Sequence, residues 1–215
     1  MAPLVDIDDI MSRLATDRPI FHSEADFQHA LAWKIHELMP EAQVRLEVSS
    51  GRADRRESMD ILVRVGDQTL AIELKYKKRK LDVELGGEKF AVGDDVAQDH
   101  GRYDFIKDIT RLEQFVSAEP NREGYAILLT NDVLYWRESK RITNSAAFFL
   151  HEGRTLECDA ILAWHADAGE GTTRGRSDFL RLRAPQTLRW TNYSETPAVA
   201  NGLFRYLCLK LGRAG

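Results

Sequence analysis

Cysteine is scarce in this chain: Cys158 and Cys208 are the only two among 215 residues. That excludes a disulfide-built scaffold, and with no export signal the two read as reduced thiols in a cytosol. The six histidines are scattered, so no Cys/His set has the spacing of a zinc site. Neither a Walker loop nor a dinucleotide-binding glycine fingerprint occurs. No apolar run approaches the roughly 20 residues that span a membrane, and no secretory signal is visible. The expectation is a soluble, cytoplasmic protein with no membrane partner. Internal repeats and low-complexity blocks are also missing. So is a cationic excess: the net charge is −4, which counts against a strong nonspecific binder of nucleic acid. With 43% hydrophobic and 30% charged residues, the chain suffices for one domain with an ample core.

What is present is a pair of strand-like runs, Met59 to Val65 and Thr69 to Tyr76, separated by Gly66-Asp67-Gln68. A Gly-X pair between alternating runs reads as a two-residue type II′ hairpin turn. With Gly66 and Asp67 as the loop, Val65 opposes Gln68, Val63 opposes Leu70, Ile61 opposes Ile72, and Asp60 opposes Glu73. One face of the hairpin is then apolar throughout. Asp60, Glu73 and Lys75 share the other face, because side chains alternate with period two. A three-residue turn would break this register.

Directly opposed residues have Cβ atoms roughly 4.5–5.5 Å apart, where two carboxylates repel and, half-buried, force one pKa upward. A divalent cation with oxygen ligands would neutralise them. Mg²⁺ is typically held by one or two carboxylates plus substrate phosphate. Lys75 adds a positive charge beside Glu73. From the residue types alone, a solvated polar face with a plain Glu–Lys pair is an equal reading.

An aspartate, a short hairpin and Glu-x-Lys on the next strand resemble the PD-(D/E)XK nuclease superfamily, also called restriction-endonuclease-like. Met59 stands where the family pattern has a proline that is often absent. The resemblance covers roughly residues 20–132. It implies an α/β fold with an αβββαβ core, a mixed central sheet flanked by helices. It also implies Mg²⁺, with Mn²⁺ as a substitute, held by Asp60 and Glu73, and Lys75 as the catalytic lysine that positions or activates the attacking water. The implied activity is metal-dependent hydrolysis of phosphodiester bonds in DNA, in restriction, repair or phage defence. A homodimer would supply the two active sites needed to cut both strands, although nothing in the sequence shows one. The alternative is a non-cleaving nucleic-acid- or protein-binding module on the same fold. A third reading is an accidental match in an unrelated soluble domain.

The flanking segments fit the same order. Residues 1–20 suggest a short amphipathic helix through Val5, Ile7, Ile10, Met11 and Leu14. Ser23 to Asp26 is a capping-box-like start to a helix whose stripe is Phe27, Leu31, Ile35 and Leu38. Glu24 falls on that stripe. Many superfamily members carry a glutamate on this helix that supports the metal site, so Glu24 is a third candidate ligand. An acidic residue also favours any helix N-terminus. Gln43 to Val48 alternates as a first strand.

Arg52, Arg55 and Arg56 precede the hairpin, and Lys75 to Lys80 packs five cations into six residues, Lys77 and Lys78 among them. Both patches should flank one end of the hairpin and suit phosphate, while either alone reads as a solvated basic run. Asp82 to Val96 reads as a long polar loop. A second helix starts near Asp99, with Tyr103, Ile106, Ile109, Leu112 and Phe115 near helical spacing. Gln98 and Tyr103 approximate, one residue too far apart, a Gln-x-x-x-Tyr signature of some members. They are candidate substrate contacts, and a core position suits Tyr103 equally well. Gly124 to Asp132 is a continuous apolar run that suits a buried strand.

In one domain, residues 21–132 would form the core and 133–215 a C-terminal α+β extension packed on it. The extension reads less clearly. Asn131 to Thr143 suits the sheet edge or beyond, Phe179 to Arg183 a strand, and Leu203 to Leu211 a closing helix. Trp190 and Tyr193 could stack bases, although core packing is the commoner role for such aromatics.

Overall fold

The computed structural model describes residues 5–49 and 58–212. Its frame is a mixed six-stranded sheet whose strands, in spatial order, are Gln43–Ser49, Ser58–Val65, Gln68–Lys77, Arg122–Thr130, Leu203–Leu211 and Trp190–Glu195. The first three strands, β1 (Gln43–Ser49), β2 (Ser58–Val65) and β3 (Gln68–Lys77), form an antiparallel meander. The hairpin register is the one the sequence predicts: Val65 opposes Gln68, Val63 opposes Leu70, and Ile61 opposes Ile72. Gly66 has a φ of +59°, as the first loop position of a type II′ turn requires.

Helices cover both faces of the sheet. On one side lie α1 (Ile7–Asp17) and α2 (Glu24–Leu38). Ser23 caps α2, its hydroxyl accepting the Asp26 N–H at 3.1 Å. Phe27, Leu31 and Ile35 of α2, with Ile10, Met11 and Leu14 of α1, pack on Ile61, Val63, Leu70, Ile72 and Leu74 of the hairpin. On the other side lies α3 (Gln98–Ala118), whose Tyr103, Ile106, Ile109 and Leu112 meet Leu62, Ala71, Ala126 and Leu128. Each fully buried aliphatic side chain of this kind contributes roughly 1.5–3 kcal/mol. The carboxylate-bearing face of the hairpin is therefore a second packed core under α3, not a solvated surface.

Between β3 and α3 the chain forms a separate hairpin, β4 (Leu81–Leu85) and β5 (Glu88–Val92), where the sequence reading expects a loop. Gly86 and Gly87, at φ of +58° and +83°, supply the two left-handed positions of a type I′ turn. Leu81, Phe90 and Val92 bury themselves in the α1/α2 core. After α3, β6 (Arg122–Thr130) runs parallel to β3 and is buried along most of its length, as its apolar run suggests.

The C-terminal half differs most from expectation. Asp132 caps a short α4 (Val133–Trp136), so this stretch leaves the sheet. Two residue pairs, β7 (Thr155–Leu156) and β8 (Gln186–Thr187), form a small separate ladder. Phe179 to Arg183 is not a strand and makes a single bridge, Leu162 with Leu180. Glu113 of α3 accepts the N–H groups of Arg183 and Ala184, in place of a partner strand.

Leu203 to Leu211 is a strand, β10, and not a helix. It pairs with β6 on one side and β9 (Trp190–Glu195) on the other. Phe204 and Tyr206 face the α1/α2 core, while Leu207, Leu209 and Leu211 face α3. The extension therefore completes the main sheet. Trp190 and Tyr193 are buried in β9, with Trp190 Nε1 donating to the Leu150 carbonyl and Tyr193 Oη to the Arg18 carbonyl. They are packing residues with no open ring face. No helix among the described residues is long and apolar enough to cross a membrane.

Gly101 shows how tightly α3 sits. A Cβ there would lie 2.3 Å from Tyr135 Oη and 3.2 Å from Lys77 Cε. Tyr135 is buried against Arg102, so its ring has little room to yield. Although alanine suits a helix better than glycine, Gly101→Ala is expected to destabilise the fold by roughly 1–3 kcal/mol in urea unfolding. A neutral or stabilised variant would contradict this packing.

Candidate active site

The β2–β3 ladder ends at Ile61 and Ile72, and Asp60 does not continue it as a ladder partner of Glu73. The Asp60 side chain instead reaches across, Oδ2 accepting the Leu74 N–H at 2.6 Å. Two residues on, Glu24 Oε2 accepts the Tyr76 N–H at 2.7 Å. Successive N–H groups of a strand alternate in direction, so Leu74 and Tyr76 donate along the same edge of β3. That is the edge β2 has left. Unpaired, these donors would cost as much as a lost hydrogen bond, and two carboxylates satisfy them. Asp60 and Glu24 are thereby fixed at the mouth of the divergence.

The backbone at Asp60 is pinned from its other side. Gln28 of α2 donates from Nε2 to the Asp60 carbonyl and to Glu47 Oε1, both at 2.8 Å. Glu47 has a φ of +51°, an uncommon conformation for a non-glycine residue, and the β1–β2 ladder skips it and Asp60. The local strain thus sits beside the candidate metal ligand. Gln28 and Glu47 escape a reading of the sequence, because a glutamine on a helix stripe and an alternating strand glutamate carry no local signal.

Glu73 and Lys75 follow on β3, facing α3. Glu73 is 2% exposed. Its Oε1 lies 3.0 Å from Arg111 Nη2, and Lys75 Nζ lies 2.7 Å from Asp108 Oδ2. Arg111 Nη1 lies 3.0 Å from Asp108 Oδ1, closing the chain of charges. The Glu73–Arg111 contact is a charge pair and not an aligned hydrogen bond, so Glu73 Oε1 keeps an unused lone pair. Asp108 and Arg111 lie on α3 outside any motif that the sequence offers. Three carboxylates, Asp60, Glu73 and Asp108, face two cations, Lys75 and Arg111.

Burial first, and then this imbalance, sets the protonation states. Burial pushes the Asp60 carboxyl up to about 6, against the opposing pull of the Leu74 N–H. Burial raises Glu73 well above the carboxylate range, and the Asp108 charge adds to it against Arg111. For Lys75, burial alone would lower the pKa, but Asp108 outweighs it and the ammonium titrates above its ordinary value. Lys75 is charged at neutral pH.

A raised carboxyl pKa means that folding favours the protonated form. The associated stability is fully present below the ordinary value of 3.8 and is lost as pH rises through about 6. In EDTA, the melting temperature should fall across that window, and Asp60→Asn should flatten the fall. Identical slopes in both proteins would contradict the burial of Asp60.

Among the described residues, no group of three or more His, Cys, Asp or Glu side chains stands at metal-ligand spacing. The donor set is a pair, Asp60 and Glu73, with Glu24 held nearby on the Tyr76 N–H. Hard carboxylate oxygens, among them Glu73 Oε1 with no aligned donor, fit Mg²⁺, which keeps several waters and needs few protein ligands.

The remaining candidates divide. Lys77 lies on the face of β3 shared by Glu73 and Lys75, its stem against Gly101, with no ion-pair partner among the described residues. Lys78 is paired with Asp95 at 3.0 Å, and Arg79 lies 3.6 Å from Asp94. Two members of the basic run, Lys78 and Arg79, are therefore engaged by the segment after β5. Gln98 donates to Asp132 Oδ2 at 2.9 Å in the first turn of α3. Tyr103 is fully buried, with its hydroxyl on the Asp178 carbonyl at 3.2 Å. It is a core aromatic and offers no surface to a substrate. Arg52, Arg55 and Arg56 lie outside the described residues. No family model and no curated protein matches this chain.

Proposed function

We propose that this protein is a Mg²⁺-dependent nuclease that hydrolyses phosphodiester bonds in DNA. The observation that carries the reading is the meeting of Asp60, Glu73 and Lys75 where β2 and β3 part, with Glu24 arriving from α2. The order α2-β1-β2-β3-α3-β6, with an antiparallel meander and a parallel fourth strand, supports a restriction-endonuclease-like core. The β4–β5 hairpin is an insertion in that order.

Asp60 and Glu73 would hold the ion, with Glu24 assisting through a water. When bound, the ion would supply Lewis acidity toward the phosphate and make water a better nucleophile. Lys75 cannot act as a base, since Asp108 keeps it charged. Its Nζ instead donates, orienting the attacking water or stabilising charge on the phosphoryl oxygens. Lys77, the next residue on that face, would meet an adjacent phosphate.

A second reading has one observation in its favour. Lys75 and Glu73 are both engaged by α3, and most of the basic run is ion-paired. That suits a module on the same fold that binds nucleic acid or protein without cutting. The test is incubation with supercoiled, linear and single-stranded DNA, and with RNA, in Mg²⁺, Mn²⁺ or EDTA. Cleavage confined to the metal conditions supports the nuclease. DNA binding of equal strength with and without metal, and no cleavage, supports the module. Neither binding nor cleavage contradicts both.

A further inference from the structure

Arg111 reaches β3 from α3, and among its contacts with described residues are three that bear on the site. Nη2 lies 3.0 Å from Glu73 Oε1, Nη1 lies 3.0 Å from Asp108 Oδ1, and the Ser58 carbonyl at the start of β2 accepts from Nη2. Asp108, 5% exposed, shares its other oxygen with Lys75. Arg111 is the positive charge in direct contact with Glu73, and it opposes the burial and the Asp108 charge that favour the neutral carboxyl.

We propose that Arg111 is the resident counter-ion of Glu73: it occupies the electrostatic place of a divalent cation and must release Glu73 before that carboxylate can hold one. The inference rests on the nuclease reading, since it takes Glu73 as a metal-binding group. Arg111 grips Glu73 through one nitrogen, not through the two-point fork that makes arginine–carboxylate pairs strong. Asp108 and the Ser58 carbonyl anchor the same guanidinium independently. Arg111 can therefore give up Glu73 and remain in the site, held by Asp108. There its planar donors suit a substrate phosphate.

Competition of this kind weakens metal binding, so removing the charge should strengthen it. Arg111→Gln is expected to bind Mn²⁺ roughly tenfold or more tightly, the scale of one unit charge a few ångströms away. Arg111→Lys keeps the charge and should stay within about threefold of the native protein. The experiment is calorimetric titration of Mn²⁺ alone, without nucleic acid, into the native protein, both variants and Asp60→Asn. Melting curves in EDTA establish that each is folded. If Arg111→Gln does not fold, Arg111→Met, which keeps the volume of the stem, is read the same way.

Tighter binding in the neutral variant and not in the lysine variant bears the inference out. Equal or weaker binding in the neutral variant, while the native protein binds Mn²⁺, overturns it and leaves the nuclease reading standing. Absence of Mn²⁺ binding in the native protein and in every Arg111 variant overturns both.

Discussion

Asp60→Asn should lose cleavage by roughly 10³-fold or more, because a charged metal ligand at the reacting phosphate is replaced by a neutral one. The fold should survive. Asparagine has the same shape and its carbonyl can still accept the Leu74 N–H, so the open end of β3 stays satisfied. Stability in EDTA should hold or rise, because the buried charge that pushes Asp60 up to about 6 is gone. Loss of activity with a retained or raised melting temperature separates a metal ligand from a structural residue. Cleavage within about tenfold of the native rate would remove Asp60 from the mechanism.

Lys75→Met is the second large effect, with a different signature. Cleavage should fall by roughly 10²–10³-fold, the scale of removing one preorganised donor at a developing charge. Mn²⁺ affinity should be retained, since Asp60 and Glu73 remain. Stability should fall, because among the described residues Asp108 then keeps Arg111 as its one cationic partner. Breaking a buried pair costs about 3–5 kcal/mol, and the remaining partner places this case toward the lower end. Lys75→Arg should restore stability without restoring the rate, since a planar fork does not place charge where a point ammonium does. Urea unfolding and single-turnover cleavage report the two effects separately. A Lys75→Met variant that loses Mn²⁺ binding as fully as Asp60→Asn would make Lys75 a structural support.

The parts of the site that were legible in the sequence are those built by short-range rules. The Gly66-Asp67 turn sets the register from Val65 to Ile61, and the strand period then puts Asp60, Glu73 and Lys75 on one face. Ser23 as a cap and the Phe27–Leu31–Ile35 stripe carry α2 in the same way. The divergence at Asp60 was not legible. It arises from tertiary contacts, with Gln28 on the Asp60 carbonyl and Glu24 on the Tyr76 N–H, which no local pattern announces.

Asp108 and Arg111 were hidden for a related reason. Their spacing on α3 reads as an ordinary surface pair until β3 is laid beneath it. Leu203 to Leu211 reads as a helix in the sequence because a strand buried on both faces leaves no period to separate the two. The ion pairs of the basic run were hidden as well. Asp94 and Asp95, more than a dozen residues along the chain, turn back on Arg79 and Lys78 only because the β4–β5 hairpin folds them there.

Nicking of supercoiled DNA by the native protein in Mg²⁺, with EDTA and Asp60→Asn as parallel blanks, tests the nuclease most directly. The expected result is conversion to open-circular or linear DNA in Mg²⁺ alone, and none in either blank. Cleavage that persists in EDTA or in Asp60→Asn would contradict a metal site at Asp60 and Glu73.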